Sequence, residues 1–311
     1  MNFESNSPIS RRGFLQTSAS AAAGVAVAAQ TNAQSAAADA AHEICVFNKP
    51  LQHISYEEQA KLIADMGFAG IEGTVRKGGH VEPEKVEEDL PKQIAALNAN
   101  GIEMTLMTTD ITEADSEIHQ RVLKTASKLG VKRFRMGSIK YTYDRPIPEQ
   151  LTEIKAQFQS LIEFCKPLGI RPLHQNHAGA KWFGAAIWDA YEVLKDVDPK
   201  DAGVCFDIRH ATVEGGQSWP TEFHLIHDWI DVVYCKDFAW EKGNDRPKNV
   251  PLGTGQVNYP AFMKTLKQSG WTGPISLHME YKNHRDPKLH PESVEAIRND
   301  MKALQKLLAG A

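Results

Sequence analysis

The chain has 311 residues, with 35 lysines and arginines against 39 aspartates and glutamates and a formal net charge of −4. That balance leaves no basic footprint, so a nucleic-acid partner is not indicated. No apolar run reaches the roughly 20 residues that a membrane-spanning helix needs, and the bulk of the chain has the length of one α/β barrel.

The N-terminal segment reads Ser10-Arg11-Arg12-Gly13-Phe14-Leu15-Gln16 and runs into a weakly apolar, Ala-rich stretch over 19–29. An arginine pair, Phe-Leu and a mild hydrophobic run in that order read as a twin-arginine export signal. The competing reading is a disordered leader with a chance arginine pair. Residues 1–40 are therefore set apart as signal and leader, and 41–311 as one folded domain. A periplasmic or otherwise exported protein, folded before export, is expected. Of the four cysteines, Cys45, Cys205 and Cys235 lie within short apolar runs and Cys165 on an amphipathic pattern. Buried free thiols fit these positions better than a disulfide framework.

Beyond residue 41, short apolar runs alternate with longer segments of helical period, eight times over. The runs lie at 44–47, 70–72, 102–107, 133–136, 170–175, 203–207, 232–235 and 275–280. Helices are predicted at 57–66, 86–100, 118–129, 151–168, 185–194, 259–268 and 291–308. Three of them close on a glycine and a β-branched residue: Gly101-Ile102, Gly130-Val131 and Gly169-Ile170. Glycine there supplies a left-handed cap, and the next residue opens a strand. Such alternation with short links predicts parallel strands. Eight repeats predict closure into a single-domain α/β fold, the (β/α)8 TIM barrel. A doubly wound sheet is the competing architecture, but no phosphate-type glycine fingerprint follows the first run.

Barrel active sites lie at the C-terminal ends of the strands, and ionisable residues gather there. Glu72 ends the second run, with Arg76, Lys77 and His80 in the loop beyond, and Arg135 lies near the end of the fourth. The fifth closes as His174-Gln175-Asn176-His177 and the sixth as Asp207-Ile208-Arg209-His210. The seventh closes as Tyr234-Cys235-Lys236-Asp237 and the eighth as His278-Met279-Glu280. Strand alternation puts Gln175 with His177, Tyr234 with Lys236, and His278 with Glu280 on shared faces. A single strand-end Asp or His reads equally as a helix cap. Seven such groups at one end do not, because unpaired buried charge is costly. Trp182, Trp188, Trp219 and Trp240 fall in or near the loops after runs five to seven, where aromatic faces suit a pyranose. Trp188 also fits ordinary core filling.

Four phrases carry a resemblance: Gly203-Val204-Cys205-Phe206-Asp207-Ile208-Arg209-His210-Ala211, Val233-Tyr234-Cys235-Lys236-Asp237-Phe238, Pro251-Leu252-Gly253-Thr254-Gly255, and Gly273-Pro274-Ile275-Ser276-Leu277-His278-Met279-Glu280. Through them the chain resembles the xylose-isomerase-like TIM barrels, a group of sugar phosphate isomerases and epimerases that shares the endonuclease IV fold. The resemblance covers nearly all of the chain beyond residue 41. It implies one divalent metal, with ligands that fall on Gln175, Asp207, Tyr234 and either His278 or Glu280. Asp207 alone matches residue for residue. A set of Asp207, Gln175, His278 and Glu280 would suit Mn²⁺, Zn²⁺ or Fe²⁺. The alternative is a centre without metal in which Lys236 is the cation.

The resemblance further implies isomerisation or epimerisation beside a carbonyl, through an enediolate. That chemistry needs a base, an acid and a cation at the developing oxyanion. Glu72, His177 and Glu280 are the candidate bases, and Lys236 or the metal the oxyanion partner. His80, Arg135, His210 and Trp182 are candidate substrate contacts. The same parts serve a lyase that cleaves 3-keto-glycosides by β-elimination, and a non-catalytic carbohydrate-binding barrel is a third reading. The expected partner is a small carbohydrate, a free sugar or glycoside, and homo-oligomerisation stays open.

Overall fold

A computed structural model describes residues 42–244 and 246–311. The arginine pair, and with it the reading of export, lies outside the described residues. In chain order the strands begin with β1 (Ile44–Phe47), β2 (Gly70–Thr74), β3 (Glu103–Thr108) and β4 (Arg133–Arg135). They continue with β5 (Arg171–Gln175), β6 (Gly203–Asp207) and β7 (Ile230–Cys235). A short antiparallel ribbon follows, β8 (Asp237–Ala239) against β9 (Lys248–Val250), before the last barrel strand, β10 (Ile275–Leu277). The eight barrel strands are parallel and close in the order β1-β10-β7-β6-β5-β4-β3-β2. This is the (β/α)8 TIM barrel that the alternation predicts.

The helices are α1 (Tyr56–Asp65), α2 (Val86–Ala99), α3 (Glu117–Lys128), α4 (Ile147–Cys165) and α5 (Trp188–Leu194). Then come α6 (Ile208–Gly215), α7 (Trp219–Ile226), α8 (Tyr259–Ser269) and α9 (His290–Ala309). Local chemistry sets their ends. Ser55 and Glu58 form a reciprocal capping box at the start of α1, satisfying two backbone N–H groups that the helix leaves open. Gly101, Gly130 and Gly169 turn the chain into the following strands at φ of 69°, 85° and 63°, a region that costs residues with a Cβ. The reading of the sequence does not contain α6, α7 or the β8–β9 ribbon. The two helices have eight residues each, too short for a helical period to stand out, and each ribbon strand has three.

Inside the barrel, Cys45, Leu106, Leu173, Cys205, Val232 and Tyr234 form a buried apolar cluster. All four cysteines are buried thiols. Outside it, Phe206 meets Phe223 edge-on at 5.4 Å, and Trp219 meets Phe262 at 5.7 Å. Trp219 is therefore core and not pocket wall, whereas Trp188 is 54% exposed.

Candidate active site

Three charged side chains from three neighbouring strands meet at the barrel mouth. Asp207 ends β6, Lys236 follows β7, and Glu280 lies just past β10. The Lys236 Nζ sits 3.1 Å from Asp207 Oδ2 and 3.0 Å from Glu280 Oε2, and all three side chains are largely or wholly buried. Burial by itself would favour neutral lysine, but the two carboxylates outweigh it and hold the group as an ammonium with a raised pKa. Glu280 is held well below the usual carboxylate range: burial opposes this, and Lys236 leads the groups that overcome it. Its other oxygen accepts from Lys49 Nζ at 3.0 Å.

Asp207 is positioned twice over. As the N-cap of α6 it accepts from the His210 backbone N–H at 3.1 Å. Its own backbone exchanges two hydrogen bonds with the Asn176 side chain, at 2.7 and 3.1 Å. The strand-end aspartate is thus both a helix cap and a member of the charged cluster.

A second buried charge lies within the barrel. Glu72 accepts from Tyr234 Oη at 2.8 Å, Ser276 Oγ at 2.7 Å and His278 Nε2 at 2.7 Å, and also from the Thr108 hydroxyl. Burial disfavours its charge, but His278, Arg135 and these donors lower its pKa to about 2. The reverse holds for His278, which burial would neutralise and Glu72 keeps protonated. Glu72 is therefore a saturated counter-ion. It is expected as a base, and here both of its oxygens are already engaged.

Two histidines form the third part. Arg209 Nη1 donates to His210 Nδ1 at 2.9 Å. Arginine has no acceptor, so that nitrogen carries the lone pair and Nε2 carries the proton. His210 Nε2 lies 3.5 Å from Asp207 Oδ2 and has no hydrogen-bond partner among the described residues. The His177 ring packs on His210 with centroids 4.1 Å apart. His177 Nδ1 lies 2.9 Å from the Ala178 carbonyl oxygen, which takes the ring proton and leaves Nε2 with the lone pair. Burial, followed by the Lys236 charge, lowers the His177 pKa to about 4, so the ring is neutral at neutral pH. It lines a cavity of about 710 Å³ together with Lys140, Trp182, Arg209 and Trp240.

The remaining expected contacts divide. Trp182 is in that cavity, with Lys140 Nζ 4.2 Å from its ring centroid. Arg135 donates to Gln175 Oε1 and lies 5.9 Å over the Phe47 ring, so it is within the site but turned to protein partners. His80 is corrected. Its Nε2 is 3.1 Å from the Ile54 carbonyl and its Nδ1 accepts from Gln59, while Tyr56 packs on its ring at 4.6 Å. Those partners tie it to α1 and the preceding turn. Sequence reasoning passed over Lys49, Asn176 and Arg209 as site residues. Lys49 and Asn176 directly follow or nearly follow strand ends, the one signal that points to them.

The xylose isomerase-like TIM barrel family matches residues 60–307. The chain belongs to this family. A curated relative, the uncharacterized protein MJ1311 of Methanocaldococcus jannaschii, is 26% identical over 151 residues, 48% of this chain and 50% of that one. The chain spans about half, or less, of the length of the curated relatives it matches. Among solved structures, the Escherichia coli 3-keto-D-glucoside 4-epimerase YcjR superposes with a TM-score of 0.66 and 16% identity, over 86% of this chain and 100% of that one. The probable 3-DHS dehydratase AsbF of Bacillus anthracis gives 0.65 and 14%, over 85% and 98%. A zinc-bound IolI protein gives 0.66 and 16%, over 86% and 98%. At these identities the likeness establishes the fold.

Within this family the residues present here do not fit a divalent ion at the expected position. The Lys236 ammonium stands between the Asp207 and Glu280 carboxylates that would hold the ion. Gln175 turns its oxygen to Arg135 and donates its amide to Asp207 Oδ2 at 2.8 Å. His278 turns Nε2 to Glu72, which raises its pKa against burial and disfavours the neutral ring that a ligand needs. The phenol of Tyr234 is kept neutral, with burial pushing its pKa well up. Among the described residues there is no group of three or more His, Cys, Asp or Glu side chains that could hold a metal. Of the expected set of Asp207, Gln175, His278 and Glu280, the two carboxylates face the Lys236 ammonium and the other two side chains face Arg135, Asp207 and Glu72.

Proposed function

We propose that the protein is a sugar isomerase or epimerase that moves a proton beside a carbonyl, with Lys236 in place of a divalent ion. The observation that carries this reading is a neutral His177, its Nε2 lone pair free at a cavity wall, close to a buried ammonium. In the proposed step His177 Nε2 takes the proton from the carbon next to the carbonyl. The electron pair moves onto the carbonyl oxygen, and the ammonium of Lys236 stabilises the enediolate that forms. Two of the lysine's three N–H groups face Asp207 and Glu280, which leaves one for that oxygen. His210 Nε2–H is buried and faces Asp207 Oδ2 at 3.5 Å, where it adds a neutral donor to the cluster. Trp182 and Trp240 in the same cavity suit the apolar face of a pyranose.

The test is incubation with ketoses, aldoses and 3-keto-glycosides in D₂O, with and without EDTA. The expected result is deuterium at the carbon beside the carbonyl in an isomeric or epimeric product, at a rate that EDTA does not change and that His177→Gln abolishes. An unsaturated product with loss of the aglycone would transfer the protein to the β-elimination class. Binding without any exchange would leave the carbohydrate-binding reading.

A further inference from the structure

We propose that the substrate carries an oxyanion, a carboxylate or a phosphate, bound in a cationic bay beside the Lys236 centre. This deepens the sugar reading above and rests on it. The bay has a volume of about 540 Å³ and is formed by the chain segments that follow β1, β2, β3 and β10. Lys49, Arg76, Lys77 and Arg285 line it against a single carboxylate, Asp110. Among the described residues only Lys49 of the four cations is in an ion pair, and its partner is Glu280 of the centre.

Arg76 is the telling residue. It is half-buried, yet its guanidinium makes no hydrogen bond or ion pair among the described residues. It sits 6.0 Å over the Phe47 ring, and Arg135 lies 5.9 Å over the same ring. Two guanidinium groups crowded on one ring repel each other, and a half-buried one without an acceptor forgoes its strongest interactions. An oxyanion bound by Arg76 and Lys77 would supply the missing acceptor and offset the repulsion from Arg135, and the planar fork of arginine is shaped for it. The rest of the bay agrees. Burial, then Lys49 and Arg285, lowers His284 to about pKa 4, and burial with Arg135 lowers Arg76 as well.

The bay adjoins the reacting centre. Lys49 faces the bay and holds Glu280 Oε1, while Lys236 holds Oε2 of the same carboxylate, each at 3.0 Å. Phe47, under the two arginines, stacks on His278 at 4.5 Å. An anion held by Arg76 is therefore part of the sugar that reacts, and not a distant appendage. By strand order the Trp182–Trp240 cavity lies on the other side of the mouth, around β5, β6 and β7, where an uncharged remainder fits.

The test is calorimetric titration of the full chain at low salt with D-gluconate, D-glucose 6-phosphate and D-glucose. At least one acid should bind about ten-fold more tightly than glucose, the scale of one charge-assisted hydrogen bond. Arg76→Met should remove that advantage and leave glucose binding as it was. The exposed double variant K77Q/R285Q, which spares the core, should weaken the acid and flatten its salt dependence. Preference for gluconate assigns a carboxylate, and preference for the phosphate ester assigns a phosphate. Equal affinity for all three sugars, no binding of either acid, or acid binding unchanged in both variants would overturn the bay. Acid binding without proton exchange in D₂O would instead retain the bay and remove the proposed reaction.

Discussion

The Lys236 ammonium is caught between two carboxylates, and that geometry assigns it a narrow chemistry. A Schiff-base lysine needs a lowered pKa so that its amine is free. Here Asp207 and Glu280 overcome burial and raise it, so the group is a fixed cation. Lys236→Met should reduce turnover on the order of 100-fold, the scale of a lost oxyanion partner. It should also cost roughly 3 to 5 kcal/mol in denaturant unfolding, because buried Asp207 loses its counter-charge and Glu280 keeps only Lys49. The double variant Lys236→Met with Asp207→Asn, which neutralises the carboxylate left without a counter-charge while Glu280 keeps Lys49, separates the two effects. Most of the stability should return and none of the turnover. If Lys236→Met alone retained activity, the ammonium would have no place in the reaction. His177, the proposed base, has its own signature. With His177 near pKa 4, the acid limb of kcat/KM is expected near pH 4, and activity should be flat from there through neutrality. A limb near pH 6.5 would point to a different base.

The Lys-Asp-Phe phrase does its work at the level of an element. Asp237 opens the β8–β9 ribbon and accepts four backbone N–H groups. Oδ1 takes Phe238 at 2.8 Å and Val257 at 3.1 Å, and Oδ2 takes Gly253 at 3.0 Å and Gly255 at 2.9 Å. A Cβ at Gly255 would stand 2.3 Å from Asp237 Oδ1 and from the Phe238 carbonyl, so only glycine lets the loop close on this carboxylate. Asp237 is thus a loop organiser one residue away from the working lysine. Asp237→Asn keeps one acceptor oxygen and replaces the other with a donor that faces two N–H groups. It should speed hydrogen exchange at Gly253 and Gly255 and lower the melting temperature. Unchanged protection at those amides would remove this role. The loop between β5 and α5 holds strain of another kind. Lys181 and Ile187 adopt φ of 72° and 48°, a conformation that costs a non-glycine residue about 1 to 2 kcal/mol. Lys181 directly precedes Trp182 on the cavity wall, and buried Ile187 directly precedes α5. Exposed Lys181→Gly is expected to stabilise the fold by about 1 kcal/mol in chemical denaturation; a loss of stability would mean that its contact with the Tyr143 ring, at 4.5 Å, outweighs the strain.

Across the whole molecule, buried histidines set the response to acid. Burial keeps His174 and His177 near pKa 4 and His210 well below 6.5. Each binds a proton more readily unfolded than folded. Stability is therefore lost as pH falls from about 6.5 toward 4. Glu72 and Glu280, whose folded pKa values are depressed, add to the loss below the ordinary carboxylate value of 4.5. His278 works in the opposite direction. Its raised pKa contributes stability that is full below 6.5 and is lost as pH rises through the folded value. His80, His284 and His290 are lowered as well. Burial raises the carboxyls of Glu222 and Asp300 to about 7 and about 6, and these gain stability as pH falls. Six histidines outnumber His278 and these two carboxyls, and the balance predicts a melting temperature that declines below pH 6.5; a flat profile to pH 4.5 would contradict it. We also propose that the Arg11-Arg12 segment directs export. Arg11→Lys with Arg12→Lys should leave the unprocessed chain in the cytoplasm, and processed protein outside it would refute the signal.

The sequence alone determined the barrel, because eight alternations of strand and helix with glycine caps are local patterns that each stretch of chain carries by itself. It also determined which end is chemical, since strand ends bring Asp207, Lys236, His278 and Glu280 to one rim. The ligand set implied by resemblance assumed that these residues share a cation of outside origin. Only the tertiary structure decided that the cation is Lys236, because a lysine two residues past Tyr234 reaches Asp207 and Glu280 only when β6, β7 and β10 lie side by side. The same holds for Glu72. Its sequence position marks a base as readily as a counter-ion, and the four donors that settle the matter come from β3, β7, β10 and the residue just past β10. Hydrophobic period and capping act within about a dozen residues and can be read along the chain. Charge pairing acts across strands that are 36 to 206 residues apart for Glu72, and only the closed barrel brings those partners within a hydrogen bond.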